Sequence, residues 1–178
     1  AENTIVIFTS DHGDLLGDHG LYLKGPTPYE GLLRLGFIVQ GPGIHKNKVV
    51  DAPISTLDLA ASFYDWAGIT SPTDIQSASI RDLIEGDNDS RDVAYSEWNQ
   101  QPSRTGVELN LRTVRTKTAK LTLEMISGAG EMYDLADDPD EMVNRFGDPG
   151  KKALQKELTD MINARPGPIM DTMPEHEA

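Results

Sequence analysis

Near the start of the chain, four apolar residues, Ile5, Val6, Ile7 and Phe8, run directly into Thr9-Ser10-Asp11-His12. A continuous, largely β-branched apolar run is the pattern of a strand covered on both faces of a parallel sheet. Such strands present their chemistry at the carboxyl end. Asp11 and His12 stand there, and the Gly-punctuated loop of residues 13–25 that follows adds Asp14, Asp18, His19 and Lys24. A parallel strand needs neighbours, and neither an initiator Met nor a partner strand precedes this one. The chain is therefore expected to be the carboxyl-terminal part of a longer one, with a mixed sheet built from later strands as the alternative.

Downstream, Thr27-Pro28-Tyr29-Glu30 reads as a short helix start, with Thr27 as N-cap, Pro28 at the first helical position and Glu30 closing a capping box. Gly36-Phe37-Ile38-Val39-Gln40 reads as a second buried strand, ended by the turn Gly41-Pro42-Gly43. Ser55 caps a helix through "TLDLAASFYDWAG", stopped by Gly68, and residues 79–84 add a turn or two before Gly86. Past the polar stretch "GDNDSRD", the segments "VAYSEW", "LRTVRT", "AKLTLEMI" and "GEMYDL" alternate between turns, as an antiparallel sheet does. Asp148-Pro149 opens a last helix whose stripe of Ala153, Leu154, Leu158, Met161 and Ile162 would cover one face of that sheet. Pro166 and Pro168 end it. The predicted organisation is thus an α/β part over residues 1–91, a small antiparallel sheet with its helix over 92–165, and a disordered tail over 166–178.

The totals exclude several functions. A chain of 178 residues buries roughly 70% of its unfolded surface and supports a real core. No apolar run approaches the ~20 residues that span a bilayer, and no basic segment leads into the apolar core of a signal peptide, so the sequence assigns no compartment. A net charge of -13 repels phosphate backbones, and no basic patch offsets it, which argues against nucleic acid. The absence of Cys removes disulfides, thiolate metal sites and cysteine nucleophiles together.

Asp11 and His12 offer a carboxylate oxygen and an imidazole nitrogen, a mixture suited to zinc, manganese or iron and less usual for calcium. The plainer alternative is that Asp11 caps the loop and His12 is a hydrogen-bonded surface histidine. His19 and Lys24, on a loop able to fold back over the strand end, weigh against it.

Taken together, "TSDHGDLLGDHGLYLKG" resembles the second metal-binding segment of the sulfatases and of the related phosphonate and phosphate ester hydrolases of the alkaline-phosphatase-like superfamily. The likeness extends through "PYEGLLRLGFIVQGPGI" and "VVDAPISTLDLAASFYDWAGI". It continues in "LRTVRTKTAKLTLE" and in "GEMYDLADDPDEMVNRF", whose Tyr-Asp-Leu, Asp-Pro and Glu-x-x-Asn elements resemble the family's small C-terminal sheet. The resemblance implies the C-terminal part of an alkaline-phosphatase-like α/β sandwich plus the small sheet. It implies Asp11 and His12 as two ligands of a divalent metal (manganese, zinc or calcium), and Lys24 as the contact to the transferred sulfuryl or phosphoryl oxygens. A small anionic ester is the implied substrate. His19 falls within the motif, as a residue that positions the loop or touches substrate, while Asp14 and Asp18 read as loop caps. His12, where many sulfatases have Asn, leans toward the phosphonate monoester hydrolase and choline-sulfatase-like subgroup and away from calcium.

The family's nucleophile is a formylglycine made in a Cys/Ser-x-Pro-Ser-Arg motif, which lies upstream beside an Asp pair that completes the metal site. Neither is present; Pro102-Ser103-Arg104 follows Gln100-Gln101. The resemblance therefore places the formylglycine in an N-terminal part of the same polypeptide, which becomes the expected partner, and implies that this chain alone is inactive. The alternative of another class is a non-catalytic binding module, which fits the missing nucleophile and leaves the Asp11-His12-Lys24 set without a reason. Periplasmic or secreted location is common in the family.

Other residues have plainer explanations. Alternation in a half-exposed strand accounts for Arg112 and Arg115, and a solvated turn for the acidic run Asp137-Asp138-Pro139-Asp140-Glu141. His45 and His176 read as surface residues. Trp66 and Trp98 read as core or interdomain packing, with Trp98-Asn99 on a loop bordering a cleft as the alternative.

Overall fold

The computed structural model describes residues 2–86 and 90–166. The tail after Pro166, with His176, lies outside the described residues, as does the middle of "GDNDSRD". Strand β1 (Val6–Phe8) pairs with β2 (Ile38–Gln40), joining Val6 to Gln40, Ile7 to Val39 and Phe8 to Ile38. The pairing is antiparallel, which corrects the parallel arrangement expected from the apolar run, and burial on both faces is not seen. Val6, Phe8 and Ile38 share one face of this two-stranded sheet and are 56%, 69% and 65% exposed. Among the described residues no third strand pairs with these two, so the apolar pattern is present without its cover.

The short helix α1 (Glu30–Leu33) lies between the two strands. Its cap departs from expectation: Tyr29 holds the N-cap position and its own side chain makes no capping bond, while the Glu30 N–H is met from across the fold by Glu141 Oε2. The Glu30 carboxylate turns away to Arg115 instead, where a full guanidinium partner outcompetes a backbone N–H. Helix α2 (Asp58–Trp66) has Leu57 at its N-cap position rather than the expected Ser55, which lies two residues earlier. The Leu57 N–H reaches Ser55 Oγ at 3.4 Å, and the Ser55 N–H donates back to Asp58 Oδ2 at 2.8 Å. It stops at Gly68, whose φ of 66° lets the Ile69 N–H reach the Tyr64 carbonyl at 2.9 Å. Helix α3 (Arg81–Glu85) packs on α2, with Ile80 and Leu83 buried against Ala52, Phe37 and Trp66. Trp66 also donates its indole N–H to Glu85 at 2.8 Å.

Strands β3 (Val93–Gln100), β4 (Leu109–Thr116), β5 (Ala119–Glu124) and β6 (Gly130–Asp134) form an antiparallel sheet in sequential order, with the single turn α4 (Pro102–Thr105) between the first two. On one face Val114, Leu121 and Met132 stand side by side, and helix α5 (Lys152–Asn163) lays Leu158 and Ile162 on them. Leu154 and Met161 flank this core, whereas Ala153, expected in the same stripe, is exposed. Trp98 lies in β3 rather than on a loop and is 38% exposed, so it is not core.

The second face was expected to meet water, and it is covered too. Alternation puts Thr113, Arg115, Lys120, Thr122 and Tyr133 there. Thr113 and Thr122 hydrogen-bond through their hydroxyls at 2.9 Å, and Lys120 is 1% exposed. A buried polar face of this kind needs partners, and the segment around α1 supplies them.

Candidate functional site

At the end of β1 the backbone N–H of His12 donates to Asp11 Oδ1 at 3.0 Å, which holds the exposed Asp11 carboxyl below its ordinary value and keeps it ionised. His12 Nδ1 lies 2.7 Å from the Gly13 carbonyl, an atom that only accepts, so the proton sits on Nδ1. That leaves the Nε2 lone pair free to bind. Nε2 is 3.5 Å from Asp11 Oδ2 and 2.6 Å from Lys24 Nζ. The loop therefore folds back and brings Asp11, His12 and Lys24 together at one strand end, facing an open cleft between the two sheets.

The backbone makes this return possible at a cost. Leu16, His19 and Leu23 have φ of 49°, 51° and 64°, a region that side-chain-bearing residues seldom adopt outside constrained sites. Asp14 Oδ1 caps the loop by accepting the Leu16 N–H at 3.0 Å, and the Leu15 N–H reaches the Leu23 carbonyl at 3.0 Å. Gly13 is fixed against α1: its N–H donates to the Leu32 carbonyl at 2.9 Å, and a Cβ there would stand 2.0 Å from the Gly31 carbonyl oxygen.

His19 is placed apart from that trio. Its ring stacks on Tyr29 at 3.8 Å with the planes 6° apart, its Nδ1 lies 3.2 Å from Asp18 Oδ1, and its Nε2 donates to the Glu141 carbonyl at 3.1 Å. In this position it ties the loop to the turn after β6.

Sequence reasoning missed the group beneath the site. Glu141, expected in a solvated turn, is 3% exposed and pairs with buried Lys120. Lys120 also lies 3.6 Å from Glu30 Oε1, and Arg115 donates to Glu30 Oε2 at 3.0 Å. Arg115 is thus an ion-pair partner of α1, and Arg112 lies 4.0 Å from Glu97 across the β3–β4 pair. The one available signal was the Glu-x-x-Asn element. Asn144 does fasten this turn, accepting the Met132 N–H at 3.0 Å and donating to the Gly130 carbonyl at 3.1 Å.

A carboxylate beside an imidazole nitrogen whose lone pair meets the Lys24 ammonium here is a donor set that suits a divalent cation. Among the described residues no set of three or more His, Cys, Asp or Glu converges, so two ligands are what these residues offer. Nε2 has one lone pair, so a cation there and the Lys24 ammonium are alternative partners.

Known proteins share this arrangement of elements. Residues 17–166 match the family described as N-sulphoglucosamine sulphohydrolase, C-terminal. The chain is 33% identical over 183 aligned positions to an N-acetylglucosamine-6-O-sulfatase of Bacteroides thetaiotaomicron, covering 99% of this chain and 32% of that protein. It is 36% identical over 147 positions to an arylsulfatase of Clostridium perfringens, covering 80% and 29%. A solved 2-O GAG sulfatase superposes with a TM-score of 0.81 at 30% identity, over 92% of this chain and 36% of that one. The phosphonate monoester hydrolase of Agrobacterium radiobacter gives 0.79 over 90% and 34%; at 24% identity this likeness bears on the fold alone. The chain spans about a third of the length of the curated relatives it matches.

Proposed function

Because the chain belongs to the sulfatase family, we propose that it is the carboxyl-terminal part of a metal-dependent sulfuric ester hydrolase. In this reading Asp11 and His12 are two of the metal's ligands, and Lys24 is the cation that meets the ester's oxygens. The observation that carries it is the convergence of Asp11 Oδ2, His12 Nε2 and Lys24 Nζ at one strand end.

Attack on the sulfur of a sulfate ester moves negative charge onto its peripheral oxygens and the leaving oxygen. A fixed ammonium beside that charge lowers the barrier, because it is in place before the charge develops. Lys24 supplies it. His12 acts as a neutral ligand whose tautomer is set by Gly13, and Asp11 supplies the anionic one. When bound, a divalent metal polarises nucleophile and ester oxygen; manganese or zinc suits the Asp-His pair better than calcium. The sequence holds no Cys and no Cys/Ser-x-Pro-Ser-Arg, so the formylglycine nucleophile and the remaining ligands are assigned to an N-terminal part of the polypeptide, and this chain alone to inactivity. The open apolar face of Val6, Phe8 and Ile38 supports that assignment, since exposed apolar patches mark surfaces that other segments cover. Hydrolysis of a phosphonate monoester or phosphodiester is the second reading, favoured by His12 itself, because the same charges serve both anions.

The test is manganese and zinc titration of the chain and of His12→Ala. Affinity falls about tenfold or more in the variant when His12 is a ligand. Equal affinity removes the metal assignment and leaves a module that binds its partner without metal.

A further inference from the structure

Glu141 reaches three separate places in the fold. Its carboxylate Oε2 accepts the Glu30 backbone N–H at 2.6 Å, Oε1 pairs with the buried Lys120 ammonium, and its main-chain carbonyl accepts from His19 Nε2 at 3.1 Å. Its φ of 56° is left-handed for a residue with a side chain, a costly conformation that persists where surrounding contacts over-determine it. Two paths lead from these contacts to the site. One runs from Glu30 along α1 to Leu32, whose carbonyl holds the N–H of Gly13 next to His12. The other runs from His19 along the loop to Lys24. Lys120 and Arg115, rooted in β5 and β4, hold Glu30 from the sheet side.

We propose that Glu141 is the positioning residue of the site: it ties α1, which holds the start of the loop at Gly13, and the middle of the loop at His19 to the four-stranded sheet, so that the sheet sets where His12 and Lys24 stand. This rests on the reading of Asp11, His12 and Lys24 given above. It also gives the buried polar face of the sheet a purpose that a pure stability device lacks, since well-packed apolar residues often replace a buried ion pair without loss.

The test follows from that substitutability. Removing Glu141 alone strands a buried ammonium, so the comparison is made with Lys120→Met present. K120M/E141Q keeps an amide oxygen able to accept the Glu30 N–H; K120M/E141L has none. In the full 178-residue chain, NMR follows the Gly13 and Lys24 amides, the His12 ring nitrogens and the broadening of His12 by added manganese. The Val114 and Leu158 methyl signals report an intact core. The expected result is that the Leu variant, which loses the Glu30 arm and keeps the main-chain contact to His19, shifts the Gly13 and His12 signals and needs about tenfold more manganese for the same broadening, and that the Gln variant restores both. Identical site signals in the two variants overturn the proposal. If manganese leaves His12 unbroadened in the wild type, the metal reading falls, and the shifts alone judge the clamp: moved by Leu and restored by Gln supports it, unmoved overturns it. Should the Leu variant lose its core methyl signals, K120M/E141A is judged by the same criteria.

Discussion

One backbone contact decides what His12 can do. The Gly13 carbonyl fixes the proton on Nδ1, and Nε2 keeps its lone pair. Gly13 in turn has no room for a side chain, because α1 lies against it. Asp134 shows the same economy in the small sheet. The Lys151 ammonium at 2.7 Å holds its carboxyl below the ordinary value of 3.8, and Asp134 raises Lys151 in return. A carboxyl whose folded value lies below its unfolded one contributes stability above the unfolded value and loses it as pH falls through the folded value. Lys151 is the mirror case: its contribution is present below 10.5 and is lost as pH rises through the higher folded value. Urea unfolding at neutral pH and again near about pH 2.5 checks the acid side. Asp134→Asn is expected to be less stable than the wild type at neutral pH and to match it at the acid end. A gap that stays constant with pH contradicts the assignment.

Helix α5 is the element whose contribution is easiest to isolate. Leu158 is 0% exposed and sits on Val114, Leu121 and Met132, so Leu158→Ala is expected to cost about 2–5 kcal/mol. The urea midpoint should fall with the slope unchanged; a loss within experimental error places the core elsewhere. This helix and the four strands were legible in the sequence because each buries one apolar face at its own period, 3.6 or 2. Ala153 was misread because it carries too little apolar surface to be drawn into the contact. The cap of α1 was misread for another reason: a capping-box pattern states what Glu30 can bond locally, and Arg115 reaches it from 85 residues away. Glu141 and Lys120 were illegible on the same ground. Each reads as a surface charge in its own segment, and only the fold brings the two together out of water. The nearness of Asp11, His12 and Lys24 was readable because all three fall in one short segment after a strand, whereas the Glu141 contacts that hold this segment come from far along the chain and were not.

The two sheets differ in how complete they are. The four-stranded sheet is covered on both faces, by α5 and by the α1 segment, whereas the β1–β2 pair leaves Phe8 and Ile38 open and meets no third strand among the described residues. The parallel, doubly buried strand expected from the first residues is an antiparallel strand with one open face here, because an apolar run states what a strand can be covered by and neither its direction nor its neighbours. No helix among the described residues is long and apolar enough to cross a membrane. The proposal that this chain carries part of a sulfatase centre is tested by expressing the whole reading frame to which the Ala1 codon belongs and assaying p-nitrophenyl sulfate with and without Lys24→Ala. The account predicts metal-dependent hydrolysis that drops about 10²–10³-fold in kcat in the variant, the scale expected for loss of a group that meets developing charge. Equal turnover by the wild type and Lys24→Ala, or hydrolysis indifferent to divalent metal, would contradict it.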